Sequence, residues 1–321
     1  MNGATGVTGA GPVPGAAALL AGTAPAPVPV AAPAPVAAAV PRAVTSAWLP
    51  SAPCTPQDCV RSAGTHAGPV RAVMRLAAAA VLLVAGIVAL ALLTPAGRLP
   101  QSARDRAVRA WCRALVRALG VRVRTTGAAP RPPGGLLLVA NHVSWLDVPL
   151  LAAVRPARML AKTEVRHWPV AGPLAARAGT LFIDRDRLRA LPGTVARIAD
   201  VLRAGGAVTV FPEGSTWCGR ARGRFRRAAF QAALDASVPV QPVRLRYRLA
   251  GHAGVSTAPA FVGDDTLLAS LWRVASARRL TAEVRVLPVL RHGTAPDRRT
   301  LARLAEEAVR GDGTGVADTH P

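Results

Sequence analysis

A histidine and a carboxylate, His142 and Asp147, stand five positions apart in Asn141-His142-Val143-Ser144-Trp145-Leu146-Asp147, directly after the apolar run Leu136–Ala140. An imidazole that titrates near neutrality, oriented by a carboxylate, is a common device for taking a proton from a hydroxyl group. On a regular helix five residues turn through about 500°, which leaves the two side chains ~140° apart. The pair therefore meets only if His142 lies on the turn leaving a strand and Asp147 lies in the helix that follows. A second reading of the same residues stands beside this one. Ser144-x-x-Asp147 has the form of a capping box, which would make Asp147 a helix cap and His142 an ordinary loop residue.

Three later stretches carry further chemical groups: Lys162-Thr163-Glu164 with Trp168-Pro169 and Gly172, then Gly179-Thr180-Leu181-Phe182-Ile183-Asp184-Arg185, then Phe211-Pro212-Glu213-Gly214-Ser215-Thr216. Arg185 at a strand end suits bidentate recognition of a phosphate, or an ion pair with Asp184. Glu213 before Gly214 could receive a substrate hydroxyl, or cap the next element.

Placing these groups requires alternating elements. Strands are expected at Val121–Thr125, Leu136–Ala140, Leu181–Ile183, Ala207–Phe211, Val238–Arg246 and Ala282–Leu287. Helices are expected at Leu146–Ala153, Leu191–Arg203, Arg226–Ala236 and Arg299–Arg310. The alternation predicts an α/β fold, a central mixed sheet flanked by helices, with its active groups on loops at strand ends. Upstream, Arg104–Leu119 reads as a basic amphipathic helix that either lies on anionic headgroups or packs on the domain with its arginines in water. Before it, Leu76–Leu93 is an unbroken apolar run of 18 residues between Arg71 and Arg75 on one side and Arg98 on the other. That length suffices for a membrane helix, and the downstream arginines predict a domain facing the cytoplasm. The expected organisation is a disordered Ala/Pro-rich segment 1–70, a transmembrane or anchoring helix 71–98, a surface helix and short strand 99–125, a catalytic domain 126–310 and a disordered tail 311–321. Met74 is a plausible alternative start, so residues 1–73 are expected to be dispensable.

The formal charge of +23 and isoelectric point near 11.8 favour a polyanionic partner. With aromatics at 4% and a single tyrosine, stacking platforms for nucleic acid are not expected, and an anionic membrane or phosphate is preferred. The four cysteines, Cys54, Cys59, Cys112 and Cys218, lack both a disulfide framework and the sequence spacing of a zinc site, so no metal is expected.

In this order, NHVSWLD, GTLFIDR, FPEG and the block Val238-Pro239-Val240-Gln241-Pro242-Val243 resemble the glycerolipid acyltransferase family, in particular bacterial 1-acyl-sn-glycerol-3-phosphate acyltransferases, over about residues 105–290. The resemblance implies that His142 is the general base and Asp147 its orienting carboxylate. It implies a substrate-binding set of Asn141, Lys162, Arg185, Glu213 and Gly214, with Val240 and Pro242 on the acyl-chain side. It also implies a lysophospholipid acceptor, acyl-CoA or acyl carrier protein as donor, no cofactor and a cell-membrane location. After FPEG the chain departs from the family pattern, its arginines arriving at Arg220, Arg222 and Arg224. A lyso-ornithine lipid acceptor is therefore an alternative, and an idle lipid-binding scaffold is the alternative from another class.

Overall fold

The computed structural model describes residues 52–61, 66–93, 100–127, 134–168, 171–185, 187–252 and 254–311, all within one compact unit, Thr45–Pro321. In chain order the elements are α1 (Pro56–Cys59), α2 (Pro69–Leu93), α3 (Gln101–Ala118), β1 (Arg122–Thr126), β2 (Leu136–Ala140), α4 (Asp147–Val154), β3 (Arg158–Lys162), α5 (Ala171–Arg177) and β4 (Leu181–Ile183). They continue with α6 (Leu191–Arg203), β5 (Ala207–Val210), α7 (Ala228–Asp235), β6 (Val240–Leu249), α8 (Leu267–Ser276), β7 (Leu280–Val286) and α9 (Arg298–Arg310). The strands form one seven-stranded sheet in the order β1-β7-β6-β2-β5-β3-β4. Every neighbouring pair is parallel except β6 with β7, so the sheet is mixed as expected.

Strand β2 shows why this chain builds three layers. All five of its residues are buried, and its alternate side chains feed opposite faces. Leu136, Leu138 and Ala140 join a core with Val116, Leu119, Leu146, Leu150 and Val274 from α3, α4 and α8 and the turns beside them. Leu137 and Val139 join a second core with Ile198, Leu202, Phe230, Leu301 and Ala305 from α6, α7 and α9. Each large aliphatic side chain buried in this way contributes roughly 1.5–3 kcal/mol.

Several elements differ from the sequence-based expectation. Strand β3 was not anticipated, because Arg158 and Lys162 at its exposed ends leave only three apolar residues, too few for a periodic signal. Helix α5 was not anticipated either. Helix α8 was missed although Thr266 caps it, its Oγ1 accepting from the Ala269 N–H at 3.2 Å. The expected disorder through residue 70 needs correction: residues 52–61 and 66–70 are folded. Cys54 and Ala67 are buried, the Arg61 N–H donates to Thr257 Oγ1 at 3.0 Å, and the Ala67 N–H donates to the Ser276 carbonyl at 2.8 Å. The expectations for residues 1–51 and 312–321 lie outside the described residues.

Helix α2 is long and apolar enough over Pro69–Leu90 to cross a membrane, and little of it is buried. Its side chains Val70, Val73, Met74, Val81, Val84, Val88 and Leu92 are exposed. Yet α2 is no free tether. Arg75 Nη1 donates to the carbonyls of Ala275 (2.7 Å) and Ala277 (2.9 Å), and Trp111 Nε1 on α3 donates to the Leu82 carbonyl at 2.7 Å. Gly86 explains the approach of the Trp111 ring, since a Cβ there would lie 2.5 Å from the indole.

Candidate active site

Parallel pairing brings the chemistry to one edge of the sheet. Leu136–Val139 of β2 register with Ala207–Val210 of β5, and Lys162 of β3 registers with Ile183 of β4. His142 follows β2, Lys162 ends β3, Arg185 follows β4 and Glu213 follows β5, so all four stand at or beyond the carboxyl ends of parallel strands.

The expected turn-then-helix arrangement of the His142–Asp147 pair is present. His142 Nδ1 lies 2.9 Å from Asp147 Oδ2, with Asp147 fully buried and His142 19% exposed, enough for a ligand to reach the ring. The same Oδ2 accepts from the backbone N–H groups of Val143 (2.6 Å) and Ser144 (2.8 Å). Oδ1 accepts from the Tyr247 hydroxyl at 2.5 Å. Surrounded by fixed donors, the carboxylate offers only lone pairs. Nδ1 therefore carries the hydrogen that faces it, and Nε2 is left with the basic lone pair. Burial, and next the Asp147 charge and its hydrogen bond, push the Tyr247 phenol well above its ordinary value, so it acts as a donor at every physiological pH. Phe211 stacks on the imidazole, with ring centroids 3.9 Å apart and planes inclined by 12°, fixing the ring plane.

The contacts of a Ser144–Asp147 capping box form in the turn before α4, whose own N-cap, Leu146, makes no side-chain cap bond. Asp147 reaches back to the Ser144 N–H, Ser144 Oγ accepts from the Leu146 N–H at 3.2 Å, and α4 begins at Asp147. One carboxylate fixes the turn that leads into α4 and holds the histidine.

The remaining expected residues divide by position. Glu213 is buried, and its two oxygens accept from the His142 N–H (2.7 Å) and the Gly223 N–H (3.2 Å). It thus ties the β2 loop to the β5 loop, a different use from receiving a substrate hydroxyl. Burial pushes its carboxyl up to about 7, opposed by these two backbone donors. Asn141 is also occupied, donating through Nδ2 to the Leu245 carbonyl (3.0 Å) and accepting at Oδ1 from the Leu245 N–H (2.8 Å), which extends the β2–β6 pairing by one residue. Gly214 adopts φ 78°, the left-handed turn that favours glycine, and its carbonyl accepts from Arg185 Nη1. Burial lowers the Arg185 guanidinium, and the nearby Glu164 charge opposes that shift. Lys162 is exposed, and no described bond joins it to the histidine.

Two contributors escaped the sequence reading. Tyr247 is the only tyrosine of the chain, and it stands at an i, i+2 position with Val243 and Leu245, an apolar face where a hydroxyl needs a partner. That was a usable signal. Trp217 left none: its backbone N–H donates to the His142 carbonyl at 2.8 Å, a bond decided only by how two loops meet. Ser215 Oγ and Trp217 Nε1, in the loop that follows β5, are buried without a protein partner among the described residues, which leaves two polar groups for a ligand or water.

This arrangement can deprotonate a hydroxyl without a covalent enzyme intermediate. Residues 122–246 match the family model described as Acyltransferase. A lyso-ornithine lipid O-acyltransferase from Pseudomonas aeruginosa is 44% identical over 213 residues, covering 64% of this chain and 78% of the relative. The chain belongs to the glycerolipid acyltransferase family. It is an O-acyltransferase. A 1-acyl-sn-glycerol-3-phosphate acyltransferase from Neisseria gonorrhoeae is 37% identical over 214 residues, covering 67% of this chain and 83% of that one. The crystal structure of the 1-acyl-sn-glycerophosphate acyltransferase from Thermotoga maritima shares the fold with a TM-score of 0.56 at 19% identity, covering 74% of this acyltransferase and 94% of the other chain.

Proposed function

We propose that this enzyme transfers an acyl group from an acyl thioester, acyl-CoA or acyl carrier protein, to the free hydroxyl of 1-acyl-sn-glycerol-3-phosphate, forming phosphatidic acid. The observation that carries the reading is the His142–Asp147 pair, with Nδ1 engaged at 2.9 Å and the ring partly exposed at the sheet edge. His142 Nε2 takes the hydroxyl proton as the oxygen attacks the thioester carbonyl. Collapse of the tetrahedral adduct breaks the carbon–sulfur bond, and the departing thiolate receives the proton from the imidazolium. The products are the ester and a free thiol. Base catalysis of this kind contributes about 100- to 10,000-fold, and holding both substrates in place supplies the rest. Arg185 and Lys162, at neighbouring strand ends, are assigned to substrate phosphate, Glu213 and Gly214 to the turn that positions them, and no cofactor is assigned.

The membrane face is assigned to the exposed side of α2 and to Arg104, Arg106, Arg113 and Arg117, exposed on α3. Arg71, Arg75, Arg122, Arg278 and Arg279 line a nearby cavity of about 280 Å³, which supports an anionic surface as partner. The arginines downstream of α2 support a catalytic domain on the cytoplasmic side.

The higher identity to the Pseudomonas relative favours a second acceptor, a lyso-ornithine lipid. Membranes carrying the full chain, supplied with acyl-CoA and a panel of lysolipids, decide between them by thiol release and lipid product. Acylation of another lysolipid with none of 1-acyl-sn-glycerol-3-phosphate would overturn the first acceptor. His142→Ala should abolish turnover in a folded protein; substantial remaining activity would remove His142 from the base role.

A further inference from the structure

We propose that Cys54, Cys59 and Cys218 form a thiolate site for a thiophilic d10 metal ion of the Zn2+ class, clipping the segment before α2 to the loop that follows β5. The three Sγ atoms lie within 4.8 Å of one another, although 159 positions of sequence separate Cys59 from Cys218. Tetrahedral zinc holds each sulfur at about 2.3 Å, which sets neighbouring sulfurs about 3.8 Å apart, so a small side-chain movement closes the site. Cys54 and Cys218 are each 3% exposed and Cys59 is half-buried, which leaves the fourth coordination position to a water or small ligand from the Cys59 side.

Local structure fixes the ligands independently. The single turn of α1 sets Cys54 against Cys59: Thr55 Oγ1 accepts from the Asp58 N–H (3.2 Å), and the Thr55 carbonyl accepts from the Cys59 N–H (3.1 Å). On the other side, Cys218 Sγ accepts from the Ala221 N–H at 3.5 Å, an N–H···S bond that stabilises negative charge on sulfur. Thiolate donors select thiophilic ions over oxygen-seeking ones, and each protonated thiol releases its proton on binding. The site also adjoins the catalytic loop, because Trp217, next to Cys218, holds the His142 carbonyl. The inference does not depend on which lysolipid is the acceptor.

The test uses the full chain in detergent micelles with a phosphine reductant. Zn2+ is titrated against a chromophoric chelator, and Co2+ serves as the optical probe. The expected result is one equivalent of Zn2+, thiolate-to-cobalt charge transfer in the near ultraviolet, and a higher melting temperature with metal. Cys54→Ser and Cys218→Ser should each weaken binding by about 100-fold or more, while Cys112→Ser, on α3, should leave it unchanged. Cys59→Ser removes the least buried ligand and so reports on binding even if the other variants fail to fold. The proposal is overturned if the wild type binds no Zn2+, if cobalt gives no charge-transfer band, or if Cys59→Ser binds as the wild type does. Isolation of a Cys–Cys disulfide whose reduction restores no metal binding overturns it equally.

Discussion

Asp147 serves four donors at once, and its replacement separates the roles of geometry and charge. In Asp147→Asn the amide NH2 must face one of the Val143, Ser144, Tyr247 or His142 donors. The imidazole then loses its fixed tautomer, and kcat is expected to fall by about 100- to 10,000-fold, measured as thiol release. Tyr247→Phe is milder. It leaves Asp147 Oδ1 without its buried partner, costs about 1–3 kcal/mol of stability, and lowers kcat less than His142→Ala. Because Tyr247 acts on His142 only through Asp147, the variant should also displace the pH–rate profile; an unmoved profile would mark Tyr247 as purely structural. Glu213 gives a pH signature. Its folded value, about 7, lies above the ordinary 4.5, so between those values the folded state holds more protons than the unfolded one. Stability must then fall as pH rises through that window, by at most about 3 kcal/mol, and flatten above it. Glu213→Gln should remove the slope, as urea unfolding at pH 5 and pH 7.5 would reveal.

At the scale of elements, the Trp111–Gly86 contact couples α3 to α2. Gly86→Leu would drive the indole off Leu82, so partial unfolding of the α2–α3 pair and faster proteolysis between them are expected, with the sheet intact by circular dichroism. The apolar strand β2, the longer strand β6 and the periodic helices α3, α6 and α9 were legible in the sequence because burial on one or two faces writes a period into it. Strand β3 was not. It is held by register with β4 and β5, a property of its neighbours rather than of Arg158–Lys162.

For the whole molecule, charge and the exposed face of α2 make the same prediction. The chain should float with anionic vesicles and much less with zwitterionic ones, the difference shrinking as salt rises. Replacing exposed Val84 and Val88 by Asp should weaken both. The packing of Cys54, Arg61 and Ala67 also revises the expected dispensability of residues 1–73. Deleting them removes buried groups and the first five residues of α2, so a lower melting temperature is expected; an unchanged one would show that the segment's packing contributes nothing.

The chain alone determined the layered α/β plan, the apolar anchor and the requirement that His142 and Asp147 meet across a strand-to-helix turn, because each is written in local spacing or periodicity. Tertiary structure decided what surrounds the pair. Tyr247 stands 100 residues from Asp147, Glu213 stands 71 from His142, and Cys218 stands 159 from Cys59. Contacts closed over such separations depend on strand order and loop docking, which no local pattern encodes. The same holds for Glu213 and Asn141, whose residue types suggested ligand binding and whose buried surroundings give their polar atoms to the backbone.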